Sequence, residues 1–385
     1  MSPGSKSRRQ HNRNGENTVR YLICAGGTGG GVYPALAVHK SLLAQDPGAE
    51  VLWVGGVNGM EANLLERAGI PYDSIPAAGL HGVGIRRLPG NILSIIKGFL
   101  ASRHILKNFK PDALFFTGGY LAVPMALAGV KIPSLLYVPD IEPGLALKAL
   151  AYFASRIAVT AESSRMFFKQ QGKISATGYP VRPGLAGLKR SQARKKFGLH
   201  NDLPVLLVFG GSKGARSINL ALLEHLPTLL EQMQVIHISG ELDWPVVQQY
   251  ANNLHGNLPE RYHPYAYLHE EMGAALAAAD LVISRAGASI LGELPLFGLP
   301  AILVPYPHAW RYQKVNADYL AERGAALVIE DSKLKSGLHL TVEKLLETPE
   351  KLEAMSKAMR ELQQPRAAEQ IASLLLGLAG ANKNG

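Results

Sequence analysis

A strand followed by a glycine-rich turn occurs once in each half of this chain, and this repetition constrains the fold most strongly. In the first half, the apolar run 19–25 leads into Gly-Gly-Thr-Gly-Gly at 26–30. In the second half, the run 204–209 leads into Gly-Gly-Ser-Lys-Gly at 210–214. Strand-like and helix-like segments alternate around both, which is typical of parallel α/β sheets. We therefore predict two similar α/β domains whose glycine loops border a cleft.

The predicted strands are short apolar runs bounded by glycine, proline or polar residues. They cover residues 19–25, 51–54, 113–117, 134–138, 156–160, 204–209, 235–239, 281–284 and 301–305. The predicted organisation is a disordered basic tail at 1–18, a first domain at 19–182 and a second domain at 183–362. A helix at 363–380 is predicted to complete the first domain, and the hinge is predicted near 178–183.

Composition limits the partners and the cellular compartment. A length of 385 residues suits two domains, and 47% apolar with 18% charged residues describes a globular protein with a core. The single cysteine, Cys24, excludes an internal disulfide and lies in an apolar run, which predicts a packed thiol. A net charge of +10 favours anionic partners. We predict no nucleic acid because no aromatic-rich basic module is present, and no secretory signal or membrane-spanning run.

Residues 281–317 contain the clearest candidate for a ligand site. A buried strand at 281–284 is followed by the small-residue turn 285–288, and a helix carrying Glu293 ends at Gly298. Ligands of open parallel sheets sit at the carboxyl ends of strands, where a helix N-terminus attracts an anion. Glu293 could accept hydrogen bonds from two sugar hydroxyls, which suits a nucleotide. An ordinary strand–helix–strand crossover with a surface glutamate explains the same pattern equally well.

The glycine loops exclude two common nucleotide-binding motifs. Neither loop ends in Gly-Lys-Ser or Gly-Lys-Thr, so neither is a P-loop. Neither matches the Gly-x-Gly-x-x-Gly pattern with the acidic residue of a dinucleotide site. These absences disfavour NTPases and oxidoreductases. The sequence also lacks an Asp-x-Asp pair, and we predict no metal and no cofactor.

Several motifs in this order resemble the MurG family of glycosyltransferases. The matching segments are GGTGG (26–30), MEANLL (60–65), TGGY (117–120), GYPVR (178–182), GGSKGAR (210–216), SRAGA (284–288), GLPAILVPYPH (298–308), Gln313 and Asn316-Ala317. The resemblance implies a GT-B fold, with two Rossmann-like domains whose parallel sheets face each other across a cleft. It further implies an inverting, metal-independent transfer of N-acetylglucosamine from UDP-N-acetylglucosamine to the undecaprenyl-linked muramyl-pentapeptide, which converts lipid I to lipid II.

The same resemblance implies where the donor binds. Ser212 and its neighbours would hold the diphosphate, and Glu293 would hold the ribose hydroxyls. Gln313 would bind sugar hydroxyls, and Arg182 with the 267–269 region would border the uracil. Arg216 and Arg285 could be cations for the diphosphate or structural partners of carboxylates. The residues implied to bind substrate are Thr28, Gly29, Gly30, Arg182, Gly211, Ser212, Lys213, Leu268, His269, Arg285, Ala288, Glu293 and Gln313.

The acceptor half departs from the family pattern. A glycine, Gly31, occupies the position of the family histidine that is a leading candidate for the catalytic base, and glycine has no side chain to accept a proton. Residues 137–144 replace the family His-Glu-Gln-Asn segment. We consider Asp140, Glu142 and His81 as replacement bases, and each is also explained as a turn or cap residue. In the second domain, Trp310 and Tyr312 replace an acid and a glutamine, and Pro295 interrupts the helix of Glu293.

The segment 85–110 interleaves apolar residues with arginine and lysine, which fits contact with an anionic leaflet. A helix packed on the sheet with extended basic side chains fits the composition equally well. With the resemblance, we predict a peripheral protein on the cytoplasmic face of the cell membrane. Two other functions stay open: a transferase for another lipid acceptor such as diacylglycerol, and a UDP-sugar-binding homologue without activity.

Overall fold

The computed structural model describes residues 18–383 except 27–28, 58, 60, 79–87, 186, 212–213 and 309–311. Most of the predicted tail, together with Thr28, His81, Ser212 and Lys213, lies outside the described residues.

The first sheet contains seven parallel strands in the order β3-β2-β1-β4-β5-β6-β7. Its strands are β1 (Arg20–Cys24), β2 (Glu50–Gly56), β3 (Tyr72–Ile75), β4 (Ala113–Phe116), β5 (Ser134–Val138), β6 (Arg156–Val159) and β7 (Ile174–Ala176). The helices between them are α1 (Gly29–Gln45), α2 (Glu61–Arg67), α3 (Leu88–Phe109), α4 (Ala122–Ala128) and α5 (Leu145–Phe153). The central strands are buried along their whole length because helices cover both faces.

The second sheet contains six parallel strands in the order β10-β9-β8-β11-β12-β13. Its strands are β8 (Val205–Phe209), β9 (Gln234–Ile238), β10 (Tyr262–Tyr265), β11 (Leu281–Ser284), β12 (Ala301–Leu303) and β13 (Ala326–Val328). Its helices are α6 (Arg190–Lys196), α7 (Arg216–Gln232), α8 (Trp244–Asn252), α9 (Met272–Ala278), α10 (Ile290–Phe297), α11 (Tyr312–Ala321), α12 (Leu334–Leu346) and α13 (Pro349–Glu361). The prediction of two parallel α/β sheets is confirmed.

The final helix, α14 (Ala367–Lys383), returns to the first sheet and packs against α1, β4 and β5. Ile371 and Leu375 of α14 are fully buried. The Ser373 hydroxyl donates to Gln45 Oε1 at 2.8 Å, which ties α14 to the end of α1. The chain therefore crosses between the sheets twice within the described residues.

The nine predicted strands are confirmed to within about two residues, and Cys24 is buried as predicted. The four strands that the sequence did not predict are β3, β7, β10 and β13, and all four are sheet edges. Gly298 ends α10 in the left-handed conformation, with φ of 63°, as its position after the apolar run predicts. Pro295 lies inside α10, which is eight residues long. Among the described helices, none combines the length and apolarity needed to cross a bilayer.

Candidate active site

A cavity of about 470 Å³ lies between the two sheets and is lined by loops of both. The first sheet contributes Gly29, Gly30 and Gly31 at the start of α1, together with Asp140 after β5. The second sheet contributes Gly210 and Gly211 after β8, and the turn after β11. The carboxyl ends of the two sheets therefore meet at one cavity, which is where parallel sheets bind ligands.

A second cavity, of about 940 Å³, lies on the second sheet and shares part of its wall with the first. The residues that line both cavities are Phe209, Gly210, Gly211, Gly287, Ser289 and Gln313. Arg216, Asp243, Arg285 and Asp331 line only the second cavity. The two spaces thus form a continuous groove across the end of the second sheet.

Close packing shapes the glycine loop after β8. Gly214 has φ of 81°, and a Cβ atom there would lie 2.2 Å from the Ser239 carbonyl oxygen. Gly210 is equally confined, because a Cβ would lie 2.4 Å from the Gly214 carbonyl carbon. The chain then enters α7 at Arg216, so free backbone N–H groups and the positive helix end lie beside the cavities. This arrangement attracts an anion.

Arg182 and Glu293, which the family resemblance places beside the uracil and the ribose, contact each other. Arg182 Nε donates to Glu293 Oε1 at 2.8 Å, and both side chains are largely buried. The guanidinium also lies over the Tyr33 ring, 4.8 Å from its centroid. Burial disfavours the charge on Arg182, but the Glu293 carboxylate outweighs this effect and raises the Arg182 pKa. Both residues line the cavity between the sheets, and Tyr33 and Tyr267 border them.

Arg285 is held in a buried polar cluster. Its Nη1 donates to Asp331 Oδ1 at 2.5 Å and to the Val304 carbonyl, and its Nη2 donates to the Ser217 hydroxyl. The residue is only 9% exposed. Arg216 differs, because its side chain is 68% exposed although Nη1 donates to Asp243 at 2.8 Å. The carboxylate-partner explanation fits Arg285 better, and Arg216 is the more accessible cation.

The other described residues that are implied to bind substrate line the same groove, with one exception. Leu268 and Ala288 are buried in the wall of the cavity between the sheets. Gln313 lines both cavities and accepts through Oε1 from the Tyr306 amide at 2.9 Å. His269 is exposed, its ring lies 4.6 Å from that of Tyr267, and it is not part of either lining.

The candidate bases differ in their surroundings. Asp140 lines the cavity between the sheets, and its Oδ1 accepts from Asn316 Nδ2 at 2.8 Å. Burial raises the Asp140 pKa, and the hydrogen bond from Asn316 opposes this shift. Glu142 is 2% exposed, accepts from Lys148 Nζ at 3.1 Å and does not line either cavity. Of these two carboxylates, only Asp140 is available to a group bound in the cleft.

Gly31 lies in the first turns of α1, on the same cavity as Asp140. Its carbonyl accepts from the Thr117 hydroxyl at 2.7 Å, and a Cβ at this position would lie 3.2 Å from the Thr117 carbonyl oxygen. The position that carries a histidine in the family is therefore closely packed. Sequence reasoning did not assign Tyr33 to the site, because an isolated tyrosine beside a glycine loop has no motif of its own. Thr117 belongs to the matching segment TGGY (117–120), but the segment by itself gave its hydroxyl no role.

Comparison with known proteins identifies the family. The glycosyltransferase family 28 N-terminal domain matches residues 21–159, and the C-terminal domain of the same family matches residues 205–371. A relative from Roseiflexus sp. strain RS-1 is 38% identical over 96% of this chain and 97% of its own. The chain belongs to the MurG family. The Roseiflexus protein is named UDP-N-acetylglucosamine–N-acetylmuramyl-(pentapeptide) pyrophosphoryl-undecaprenol N-acetylglucosamine transferase. A Listeria welshimeri relative with the same name is 34% identical over 94% of this chain and 99% of its own.

Solved structures agree with a MurG-type GT-B fold. The crystal structure of Acinetobacter baumannii MurG superposes with a TM-score of 0.71 at 27% identity, covering 94% of this chain and all of that one. A UDP-GlcNAc 2-epimerase from Neisseria meningitidis, solved with UDP-GlcNAc bound, superposes with a TM-score of 0.64 at 16% identity, covering 93% of this chain and 100% of that one. The second likeness concerns the fold alone. As a member of the MurG family, this chain is a glycosyltransferase.

Proposed function

We propose that this enzyme transfers N-acetylglucosamine from UDP-N-acetylglucosamine to an undecaprenyl-linked muramyl-pentapeptide, converting lipid I to lipid II in peptidoglycan synthesis. The observation that carries the proposal is the single cleft in which glycine loops of both sheets, Arg182, Glu293 and Asp140 meet. The names of relatives that match nearly the whole chain support the same substrates.

The second domain suits the donor. The glycine loop at Gly210, Gly211 and Gly214 and the N-terminus of α7 would receive the diphosphate, with Arg216 as an accessible cation. Glu293 is paired with Arg182 through one carboxylate oxygen, and a carboxylate has further lone pairs to accept hydrogen bonds from ribose hydroxyls. Uracil would lie beside Leu268, and the amide of Gln313 would bind sugar hydroxyls.

The chemistry requires a base and stabilisation of the leaving group. The acceptor hydroxyl oxygen forms a bond to the anomeric carbon while the bond from that carbon to the diphosphate oxygen breaks. The Asp140 carboxylate takes the proton of the hydroxyl, and the departing UDP keeps the electron pair, which the amides and the helix end stabilise. Attack from the face opposite to the leaving group inverts the anomeric centre. No metal ion takes part in this scheme.

The surface of α3 supports peripheral attachment to an anionic membrane on its cytoplasmic face. Ile92, Leu93, Ile96 and Leu100 are between 46% and 58% exposed, although α3 is packed on the sheet through Ile105 and Leu106. Lys97 and Lys107 are exposed on the same helix. Apolar side chains flanked by lysines are suited to the boundary between head groups and acyl chains.

An acceptor-panel assay tests the proposed function. Release of UDP from UDP-N-acetylglucosamine is measured without acceptor, with the muramyl-pentapeptide lipid and with diacylglycerol, each with and without EDTA. We expect release that depends on the muramyl lipid and is insensitive to EDTA. Release only with diacylglycerol, or UDP-sugar binding without release, would overturn the proposal in favour of another acceptor or of an inactive binding protein. If EDTA abolished the activity and magnesium restored it, the proposal that the reaction needs no metal would be overturned.

A further inference from the structure

The side chain of Asn316 connects the two domains at the candidate base. Asn316 lies on α11 of the second domain and is fully buried. Its Nδ2 donates to Asp140 Oδ1 at 2.8 Å, and its Oδ1 accepts from the Ile141 amide at 3.0 Å. Both partners belong to the loop that follows β5 in the first domain. The Asn316 amide therefore forms hydrogen bonds with two consecutive residues of that loop.

The hydrogen bonds fix the orientation of the Asn316 amide. The Ile141 backbone N–H is always a donor, so the atom that faces it must be the Asn316 oxygen. The nitrogen then faces Asp140 and the Ala286 carbonyl, to which it donates at 3.1 Å. Rotating the amide by 180° would place donor against donor and oxygen against oxygen. All the hydrogens of the amide are used, so the group is satisfied in one arrangement only.

The third bond extends this connection to the donor site. Ala286 directly precedes Gly287, and Gly287 lines both cavities beside the glycine loop after β8. Asn316 thus contacts the turn of the second domain that borders the donor groove and the carboxylate of the first domain at the same time. Separating the domains would remove the Asp140 and Ile141 bonds together, because both cross the interface.

We propose that Asn316 is a positioning residue that holds the Asp140 carboxylate toward the acceptor from the opposite domain, so that the base is in place only while the domains are closed. The inference rests on the proposed function, in which Asp140 accepts the proton. The proposal also explains how a base on a loop can be held in place, because the buried Asn316 amide fixes the loop that carries Asp140.

The other ionisable groups near Asp140 are neutral or paired with each other, so the hydrogen bond from Asn316 is the contact through which a substitution can change the Asp140 pKa. Tyr137 and Tyr179 face it, and burial raises the pKa of both, so that they stay neutral. Arg182 and Glu293 line the same cavity but are paired with each other. On the loop itself, Glu142 is paired with Lys148, and from α11 the Tyr312 hydroxyl approaches Gly144.

The test replaces the donor without changing the shape of the side chain. Asn316→Asp retains an oxygen for Ile141 but places a second carboxylate against Asp140. Because the hydrogen bond from Asn316 lowers the Asp140 pKa, its loss should raise that pKa. The acid limb of kcat against pH, where activity is lost because the base is protonated, should move upward by the same amount as the carboxyl pKa. Asn316→Ala removes the donor without adding charge and should move the limb in the same direction.

Gln234 provides the matched control. It is fully buried and makes three hydrogen bonds of the same kind, accepting from the His200 amide and donating to the carbonyls of His200 and Leu203. These contacts lie at the start of β9, the opposite end of that strand from the cleft. Gln234→Glu should therefore lower stability without moving the acid limb.

Carbon-13 titration of the Asp140 carboxyl group, assigned with Asp140→Asn, measures the same pKa without substrate. Agreement between this shift and the kinetic shift supports the proposal. The proposal would be overturned if Asn316→Asp left the Asp140 pKa unchanged. It would also be overturned if the substitution shifted the Asp140 pKa but did not move the acid limb of kcat. Failure of the wild-type enzyme to release UDP with any acceptor would instead overturn the proposed function, whereas the titration would still report on Asn316.

Discussion

Arg182, in the linker between the domains, donates a hydrogen bond to Glu293 on α10 at 2.8 Å. Only 18% of the Arg182 side chain and 6% of the Glu293 side chain are exposed. Removing one partner of such a pair leaves the other charge buried and uncompensated. We therefore expect Glu293→Gln to lower the free energy of unfolding by about 3 kcal/mol, measured by urea denaturation. UDP affinity, measured by calorimetry, should fall as well.

The exposed pair formed by Arg20 and Glu50 is the control for this prediction. Its N–O distance is 3.0 Å, but its side chains are 40% and 56% exposed. Solvent screens the attraction there, so Glu50→Gln should cost less than about 1 kcal/mol. Equal effects of Glu50→Gln and Glu293→Gln would show that the buried pair contributes nothing beyond a surface contact.

Asp140→Asn should separate turnover from donor binding. The amide has the shape of the carboxylate but cannot accept the proton, so kcat should fall by a factor of about 10² to 10⁴. The affinity for UDP should stay close to that of the parent, because the proposed UDP site lies on the second domain. Unchanged turnover in a lipid-dependent assay would remove Asp140 as the base.

The same substitution should stabilise the protein at neutral pH. Because burial raises the Asp140 pKa, the folded state binds this proton more tightly than the unfolded state. Ionisation above that pKa therefore lowers stability, and Asn avoids the penalty. The melting temperature of Asp140→Asn should exceed that of the parent at pH 7, and the difference should shrink as the pH falls below the Asp140 pKa. A lower melting temperature at pH 7 would contradict this account of the carboxylate.

Acid should destabilise the second domain through His237. The side chain is fully buried on β9, where Nδ1 lies 2.8 Å from the Tyr262 hydroxyl and Nε2 lies 3.0 Å from Asn219 Oδ1. Burial lowers its pKa to about 3, below its usual value of 6.5. The unfolded state therefore binds the proton first, and stability present above pH 6.5 is lost as the pH falls toward 3. The loss should reach about 3 kcal/mol at pH 4.

Comparison of urea midpoints between pH 7 and pH 4 tests this contribution. The curve for His237→Gln should be flatter than that of the parent. His255→Gln, at an exposed position, should keep the parental slope. Parallel curves for the parent and His237→Gln would exclude His237 as a source of acid sensitivity.

The exposed apolar surface of α3 should carry membrane binding. Ile96 is 50% and Leu100 is 58% exposed. Replacing both with glutamate should weaken binding to anionic phospholipid vesicles by roughly tenfold per residue, because apolar burial is lost and a repelled charge is added. Leu340→Glu, at a 64% exposed leucine of α12, is the control and should bind vesicles like the parent. Sedimentation with vesicles measures the difference, and equal binding of both variants would assign attachment to another surface.

The sequence predicted the interior of both sheets accurately because buried parallel strands are continuous apolar runs. Residues 281–284 match β11 without error. The missed edge strands are only three or four residues long, and two of them are mixed in polarity: β3 reads Tyr-Asp-Ser-Ile and β10 reads Tyr-His-Pro-Tyr. Each pairs on one side only, so its sequence carries a weaker signal. Their assignment depends on the neighbouring strand that supplies the hydrogen bonds.

The sequence by itself determined the α/β class, the duplicated glycine loops and the family, because backbone approach to an anion requires glycine at fixed places after a strand. Only the tertiary structure decided how individual side chains are used. Arg285 is held by Asp331, Glu142 is paired with Lys148, and Asp140 is held by Asn316, 176 residues further along the chain. The first two pairings form within one domain and the third joins loops of both domains, and in each case the partner is fixed only when folding brings the two side chains together.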